Sequence, residues 1–396
     1  MQTRYLLTAL VVLGSFTSAF AQLNIPDANG TDGPLNASGA TYTIDLSQAQ
    51  PGDALTYSNA GGNIGKGIYD AARWVIVFKY SAVNVPAGTT VNFINHPSYA
   101  PVVWLVQGSV NIAGTVSVNG KIGVIGTGGL VPTEPGPGGF RGGASGPSGY
   151  GAALGPGGGG PGSSGVYNTS YGNPQVLPLI GGSGGGGTDA FGAASGGGAG
   201  GALLIAAPST IQISGSVTAV GGFAVAPGYG ISVAAGGAIK LIANQVTGTG
   251  SLNADTTGRV RIEANTLEGG ITSNPSTITV PPGIGATPIL FQSPTSPTVK
   301  IVSVDGLPSP ADPTAPLVSS ADIAIQKNTP VTIVLETRNF ATAGAVVAVR
   351  IANKYGNATT LNATLQGGGT TVLSNWTLST TLAPGFVTLQ ARATQP

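Results

Sequence analysis

The sequence predicts an all-β protein: a parallel β-helix, or solenoid, that carries a glycine-rich insertion and is followed by a small antiparallel β-sandwich. One observation behind this is a short aliphatic segment, opened by glycine, that recurs at 201–207, 237–243 and 258–264. Repeats at a spacing of about 20–50 residues are typical of stacked folds. Another is a series of alternating apolar and polar runs, separated by turn signals, within residues 318–396. Helix signals are scarce.

Residues 1–21 have the layout of a secretory signal peptide. Arg4 gives a positively charged start, residues 6–16 are mostly apolar, and Ala19-Phe20-Ala21 is a small-x-small cleavage site. A membrane anchor is the alternative, but the apolar stretch is shorter than a bilayer requires. We expect cleavage after Ala21, no transmembrane segment in the mature chain, and a secreted, extracellular or cell-surface protein. The absence of cysteine is compatible with bacterial export.

The composition argues against a nucleic-acid partner. Charged residues make up 7% of the chain and the net charge is +1, whereas ordinary globular proteins contain about 25% charged residues. Nucleic-acid binding requires clustered Lys and Arg, so we expect no nucleic-acid partner. The chain is 41% hydrophobic, so most of it should fold rather than stay disordered.

Residues 22–90 are a polar lead-in, or cap, with short strands. The apolar run at 74–78 predicts one strand, and the alternating run at 90–94 predicts another. Pro86-Ala87-Gly88 is a turn signal between them.

Residues 91–280 are predicted to form the parallel β-helix. Its first copy runs from 102 to 118, and Ile211, Ile213, Gly215 and Val217 repeat Val110, Ile112, Gly114 and Val116 about one hundred residues later. Further copies begin at Ile239 and Val260, and the shortest spacing, from Gly237 to Gly258, is 21 residues, about one coil. Inward side chains of successive coils should stack in columns, one of Val103, Leu203, Ile239 and Val260, and another of Leu105, Ile205, Leu241 and Ile262.

A glycine-rich tract, about 121–201, interrupts this region and holds roughly half of the chain's 66 glycines. One interpretation is a flexible linker. The other is a packed lobe, in which extended or polyproline II segments lie too close together for side chains. Scattered aliphatic and tyrosine residues favour partial order. The β-helix pattern resumes at Leu203, so the tract is an insertion within the β-helix.

The amino-acid composition changes after Val280. Residues 281–317 are rich in proline and predict an extended connector, with one strand at 299–302. Residues 318–396 contain several alternating runs, among them 331–335 and 346–351, and predict a separate, Ig-like β-sandwich.

The repeats resemble those of secreted bacterial proteins with a right-handed parallel β-helix, the pectate-lyase-like architecture. The resemblance rests on the segment 236–243 and its copies and on the segment 105–116, and it covers about 91–280. Glycine-rich forms of this kind are mostly uncharacterised surface proteins, and the shared segments are structural. The resemblance therefore implies a fold and an extracellular location, and it carries over no catalytic residue.

Candidate chemistry is sparse. The single histidine, His96, lies in Asn95-His96-Pro97, which predicts a loop residue at a turn, without the partners of a hydrolase triad. One histidine and no cysteine do not make a transition-metal site. A calcium-roll pattern at 184–192 occurs once, whereas such sites need tandem copies. The glycines at 62–67 lack the spacing of a phosphate loop, and Trp74, Trp104 and Trp376 are interpreted as strand or core residues.

β-Helix enzymes that cleave polysaccharides use clustered carboxylates. The predicted β-helix contains only five: Glu134, Asp189, Asp255, Glu263 and Glu268. Glu263 is expected to form a solvated ion pair with Arg261, two residues away on one strand face. Arg261 should lie next to Lys240 on an outward, solvent-facing ladder that could touch a polyanion.

We therefore name no catalytic, cofactor-binding or metal-ligating residue, and expect no cofactor. The leading hypothesis is a secreted, non-enzymatic structural or adhesive surface protein, with cell-envelope or extracellular polysaccharide as a possible partner. The alternatives are a carbohydrate-active β-helix enzyme, which would need two carboxylates within about 10 Å in a groove, and a glycan-binding module that acts through the sandwich.

Overall fold

The structure is a computed structural model that describes residues 22–126, 131–146, 149–158, 173–188, 194–226, 230–313, 321–326, 329–367 and 371–395. Its secondary structure is almost entirely β, with two single 3-10 turns at Leu46–Gln48 and Gly61–Asn63. The predicted signal peptide, 1–21, lies outside the described residues. In the part of the chain that is described, no helix is long and apolar enough to cross a membrane.

The strands before the glycine-rich tract and within it are β1 (Leu35–Asn36), β2 (Thr41–Asp45), β3 (Gln50–Pro51), β4 (Ile68–Asp70), β5 (Val75–Tyr80), β6 (Val83–Val85), β7 (Thr90–Ile94), β8 (Val102–Val106), β9 (Val110–Ile112), β10 (Thr115–Ser117), β11 (Ser145–Gly146) and β12 (Gly149–Tyr150). Those after it, up to the proline-rich segment, are β13 (Ala202–Ala206), β14 (Thr210–Ile213), β15 (Ser216–Thr218), β16 (Phe223–Ala226), β17 (Gly230–Val233), β18 (Ala238–Gly248), β19 (Ser251–Asn253), β20 (Arg259–Gly269), β21 (Thr272–Asn274) and β22 (Ile278–Val280). The remaining strands are β23 (Thr298–Val304), β24 (Leu307–Pro308), β25 (Val331–Arg338), β26 (Val346–Asn353), β27 (Thr359–Asn362), β28 (Thr364–Gln366), β29 (Leu373–Thr380) and β30 (Val387–Thr394).

Two parallel sheets form the larger part of the molecule. A twelve-stranded sheet has the order β1-β6-β9-β14-β18-β13-β8-β5-β4-β3, with β20 paired to β18 and β22 to β20. All its pairs are parallel except β4 with β5. A six-stranded sheet, β2-β7-β10-β15-β19-β21, is parallel throughout. Apart from β3, β4 and β5, which follow one another and pair, each strand of these two sheets pairs with strands from other parts of the chain.

The main apolar core lies between these sheets, and its register confirms most of the predicted columns. Leu203 pairs with Ile239, which pairs with Val260. Ile205, Leu241 and Ile262 are aligned in the same way and are at most 1% exposed.

The predicted columns are wrong by one residue in β8. Val102 and Trp104, rather than Val103 and Leu105, pair with Leu203 and Ile205. The reason is that β8 is buried on both faces, so its sequence is apolar at every position and alternation cannot set the register. Val103 and Leu105 belong instead to a second apolar cluster.

This second cluster covers the outer face of β5, β8, β13 and β18. Leu23 and Ile25 come from the lead-in, Val176 and Leu179 from the glycine-rich tract, and Leu290 from the proline-rich segment. Three distant parts of the chain thus form an outer layer on the sheet.

The described part of the glycine-rich tract is packed. Its segments join through backbone bonds, such as Gly182 N–H to the Gly200 carbonyl (2.8 Å) and Gly185 N–H to the Gly197 carbonyl (2.9 Å). A Cβ built on Gly196 would lie 1.8 Å from the Gly185 carbonyl oxygen, which is closer than atoms can approach. Here the packed-lobe interpretation is therefore correct and the linker interpretation is not.

The C-terminal part is a two-layer antiparallel structure. A five-stranded sheet, β24-β23-β25-β29-β28, and a three-stranded sheet, β27-β26-β30, share one apolar core. The strand expected at 299–302 is β23, which pairs with β25, so part of 281–317 belongs to this sheet. The N–H of Gly356 donates to the Tyr150 carbonyl (2.7 Å), which joins the sandwich to the glycine-rich lobe.

Candidate functional site

The outer face of the six-stranded sheet, here called the hydroxyl face, is the most regular polar surface of the described chain. Each strand supplies two outward positions on either side of an inward one. In β10 and β15 these are Thr115 and Ser117, and Ser216 and Thr218, around the buried Val116 and Val217.

Register turns these positions into two columns. The first column follows the pairs Thr41–Thr90, Thr90–Thr115, Thr115–Ser216, Ser216–Ser251 and Ser251–Thr272. The second consists of the pair Thr43–Asn92 and of the successive partners Ser117, Thr218, Asn253 and Asn274, among which the Thr218 hydroxyl oxygen is buried. All twelve residues are Thr, Ser or Asn.

The neighbouring face of the twelve-stranded sheet carries a second polar array, here called the amide column. It is formed by the successive partners Asn36, Asn84, Asn111, Gln212, Thr247 and Glu268. The Asn111 side-chain amide donates to the Asn84 side-chain oxygen (3.0 Å). Side-chain amides both donate and accept, so the Asn and Gln members keep hydrogen-bonding capacity for a ligand.

The basic pair predicted on an outward ladder is not exposed. Lys240 and Arg261 are paired across β18 and β20, as expected, but Lys240 is fully buried beneath the outer layer. Its Nζ lies 3.1 Å from Glu263 Oε1 and donates to the Gln175 and Ile289 carbonyls at 3.2 and 3.3 Å. The solvent-facing prediction is wrong because segments distant in sequence cover this face.

The Glu263–Arg261 pair exists, but it is not solvated. Arg261 Nε donates to Glu263 Oε1 at 2.7 Å, and both side chains are only 11–12% exposed. Burial lowers the pKa of Lys240, and the charge of Glu263 opposes this shift. The cluster holds the outer layer on the sheet and offers no free acid or base.

Two carboxylates outside the predicted β-helix do converge. Asp53 and Asp70 each contact Nη1 of Arg73, at 2.9 and 2.5 Å. Hydrogen bonding by Arg73 is the main cause that lowers the pKa of Asp53 to about 2. Asp70 is 3% exposed and also accepts from the Ala54 N–H. A carboxylate so acidic, beside a guanidinium, cannot act as a general acid near neutral pH.

His96 is a loop residue at a turn, as predicted. Its Nδ1 accepts from the Ser98 N–H (3.1 Å) and lies 2.7 Å from the Ser98 hydroxyl oxygen. Burial lowers its pKa, and the charge of Asp312 opposes this. Ser98 is 5% exposed, so this Ser–His–Asp set has no nucleophile that a substrate could reach.

The other predicted carboxylates stay apart. Glu134 binds Arg141 (2.8 Å) and Glu268 accepts from Gln245 (2.9 Å). Asp255 accepts from the N–H of Thr256 at a turn. Asp189, with the end of the calcium-roll pattern, lies outside the described residues. Among the described residues no three His, Cys, Asp or Glu side chains are grouped to hold a metal ion.

The sandwich holds a cavity of about 1280 Å³ between β23 and β30. Its described walls are largely aliphatic, with Val299, Ile301, Leu389 and one aromatic ring, Phe386. Trp376 is in the sandwich core, where Nε1 donates to the Thr337 hydroxyl (3.0 Å). Trp104 is buried in β8, so the prediction is confirmed for these two tryptophans. Trp74 lies in the turn before β5, half-buried against the main core, and is not a strand residue.

Comparison with protein-family models, with curated proteins and with solved structures finds no match to this chain.

Sequence reasoning missed the hydroxyl face, although a signal for it was present. Polar–apolar–polar triplets such as Thr115-Val116-Ser117, Ser216-Val217-Thr218 and Ser251-Leu252-Asn253 recur at corresponding places. The polar residues on either side of each central aliphatic residue are the signal for this face.

Proposed function

We propose that the protein is a secreted, non-enzymatic structural or adhesive protein of the bacterial surface or extracellular space, and that its parallel sheets are the faces of a right-handed β-helix. The observation that carries the functional part is the amide column, a periodic and almost uncharged polar surface on a rigid sheet. The partner that we propose for it is a neutral polysaccharide of the envelope or the extracellular matrix.

The strand order supports the β-helix. The strands β8, β9 and β10 pair in turn with β13, β14 and β15. In turn, β13 and β14 both pair with the long strand β18, and β15 pairs with β19. A solenoid would visit the same three positions in the same order on each pass, so this order supports the proposal.

The distribution of charge supports a neutral ligand. A polyanion would need exposed Lys and Arg, whereas the amide column contains neither. Amide groups such as those of Asn111 and Gln212 can exchange hydrogen bonds with sugar hydroxyls.

The carbohydrate-active enzyme is the weaker alternative. The Asp53–Asp70 pair meets the distance requirement, but Arg73 contacts both carboxylates and Asp70 is only 3% exposed, so a substrate cannot reach both of them. The sandwich glycan module is weaker still, because Phe386 is the one aromatic ring in the described wall of its cavity.

Co-sedimentation with insoluble polysaccharides tests the proposal. The mature protein is mixed with cellulose, chitin or isolated peptidoglycan sacculi, and the bound fraction is measured against the variants Asn111→Ala with Gln212→Ala, and Gln366→Ala. Gln366 is an exposed amide in β28, far in sequence from the column, and serves as the matched control. We expect the double variant to lose at least half of the binding and Gln366→Ala to retain it. Equal binding by all three proteins, or none, would reject the amide column as the adhesive surface.

A further inference from the structure

The hydroxyl face has a chemistry that the amide column lacks. Its first column consists of Thr and Ser alone, from Thr41 at one edge to Thr272 at the other. Neither column contains a charged or aromatic residue. Sugar rings are commonly bound by stacking on aromatic side chains, so this surface is poorly suited to them.

A single side-chain hydroxyl gains little free energy when it exchanges a hydrogen bond to liquid water for one to a ligand. The bond that it makes to a ligand replaces one that it already made to the solvent, and the net gain is small. A surface of many such groups binds strongly only to a ligand that repeats with the same spacing, because the small gains then add on one rigid body. The ligand should therefore be a solid with a regular lattice of uncharged O–H groups.

The spacing of the face fits frozen water. Parallel strands lie about 4.8 Å apart, which sets the repeat along each column. Two water oxygens bonded tetrahedrally to a common third one, with O···O distances of about 2.75 Å, lie about 4.5 Å apart. The two columns are separated by two residues of extended chain, or about 6.7 Å.

The face is also held rigidly. Val91, Val116, Val217 and Leu252 form a buried column directly beneath it and are at most 1% exposed. Within the face, the hydroxyl oxygens of Thr115 and Ser216 are 3.0 Å apart. A surface ordered before binding loses little conformational freedom on contact with a solid.

We propose that the hydroxyl face binds ice, with its Thr, Ser and Asn side chains taking the places of water in the lattice. This binding is separate from the polysaccharide adhesion proposed above, since it uses another sheet and other residues. It would let the protein hold its carrier to ice or restrain the growth of ice crystals around it.

The test is an ice-affinity measurement on the full mature chain. The protein is incubated with a slowly growing ice hemisphere, and the fraction incorporated into the ice is compared with that left in the liquid. Recrystallisation of polycrystalline ice is followed in parallel. We expect incorporation well above that of bovine serum albumin and smaller ice grains than in buffer alone.

Two variants with the same added side chain locate the surface. Ser216→Tyr places a ring in the middle of the hydroxyl face, and Gln212→Tyr places one on the amide column. We expect Ser216→Tyr to reduce incorporation at least tenfold, Gln212→Tyr to leave it unchanged, and Ser216→Thr to preserve it. Circular dichroism and thermal unfolding check that each variant is folded, and Thr115→Tyr replaces Ser216→Tyr if the latter is not.

Three outcomes overturn the proposal. They are exclusion of the folded wild-type chain from ice, equal loss of incorporation in Ser216→Tyr and Gln212→Tyr, and binding of crystalline cellulose or chitin that only Ser216→Tyr abolishes without any effect on ice. The last would make the face a polysaccharide site. Loss of polysaccharide binding in the amide-column variants has no bearing on this result, so the two proposals can fail independently.

Discussion

At the scale of single residues, Lys240 departs furthest from expectation. A lysine on the outer face of a strand normally extends into water, yet this one is covered by the segments that carry Gln175 and Ile289. Its charge is balanced by Glu263 at 3.1 Å. Removing one partner from a buried pair leaves an uncompensated charge, which typically costs about 3–5 kcal/mol. The cluster therefore makes the outer layer depend on a few polar atoms.

Lys240 should also make stability depend on pH. Burial lowers its pKa from the ordinary value of 10.5, so the folded chain releases this proton at a lower pH than the unfolded chain does. Between the lowered pKa and 10.5 the unfolded state binds more protons, and the free energy of unfolding rises with pH. We expect this rise to be smaller in Lys240→Met. Denaturant unfolding of both proteins from pH 7 to 10.5 measures it, and parallel curves would show that Lys240 titrates normally.

At the scale of elements, the glycine-rich lobe shows why composition alone does not distinguish a linker from a packed unit. The absence of side chains at Gly143, Gly185 and Gly196 allows three segments to approach and to exchange backbone hydrogen bonds. In a linker the same glycines would only increase flexibility. The difference lies in contacts between distant segments, which one stretch of sequence does not reveal.

Substitutions at glycine should therefore separate packed positions from open ones. In Gly196→Ala the new methyl group would meet the Gly185 carbonyl, and overpacking of this kind costs about 1–3 kcal/mol or more. Gly270→Ala is the control, because nothing lies within 4 Å of its Cβ position. We expect a lower midpoint of thermal unfolding for Gly196→Ala and little change for Gly270→Ala. Similar midpoints for the two variants would mean that the lobe is loosely packed.

The sequence predicted the repeated strands, but not the register of β8 or the burial of Lys240. Leu203, Ile239 and Val260 could be aligned because their strands follow recognisable glycines. Val102 and Val103 are both aliphatic, and the choice between them depends on the layer outside the strand. The burial of Lys240 depends on the same layer. Alternation of apolar and polar residues predicts the inward positions of a strand that is buried on one face. It cannot do so for a strand that is buried on both faces.

At the scale of the whole molecule, the net charge is too small for electrostatic repulsion to keep copies of the protein apart. Loss of residues 1–21 would remove Arg4 and leave fourteen basic and fourteen acidic side chains, since residues 1–21 contain no other charged residue. Several of these charges are spent on internal pairs such as Arg73 with Asp70 and Arg141 with Glu134. Hydroxyl and amide groups must then carry the solubility, and the same groups form both proposed binding faces.

A chain of zero net charge should associate most readily near neutral pH. We expect light scattering by the mature protein to be strongest there and to fall near pH 4, where protonation of carboxylates leaves a net positive charge. The triple variant Thr359→Glu, Thr360→Glu and Thr364→Glu adds three charges at exposed positions of the sandwich, away from the two parallel sheets. It should remain dispersed at pH 7 at concentrations where the wild type associates. Equal association of the triple variant and the wild type would contradict this explanation. Direct pairing of the polar faces between copies would then drive the association, because repulsion between the sandwiches would be too weak to prevent it.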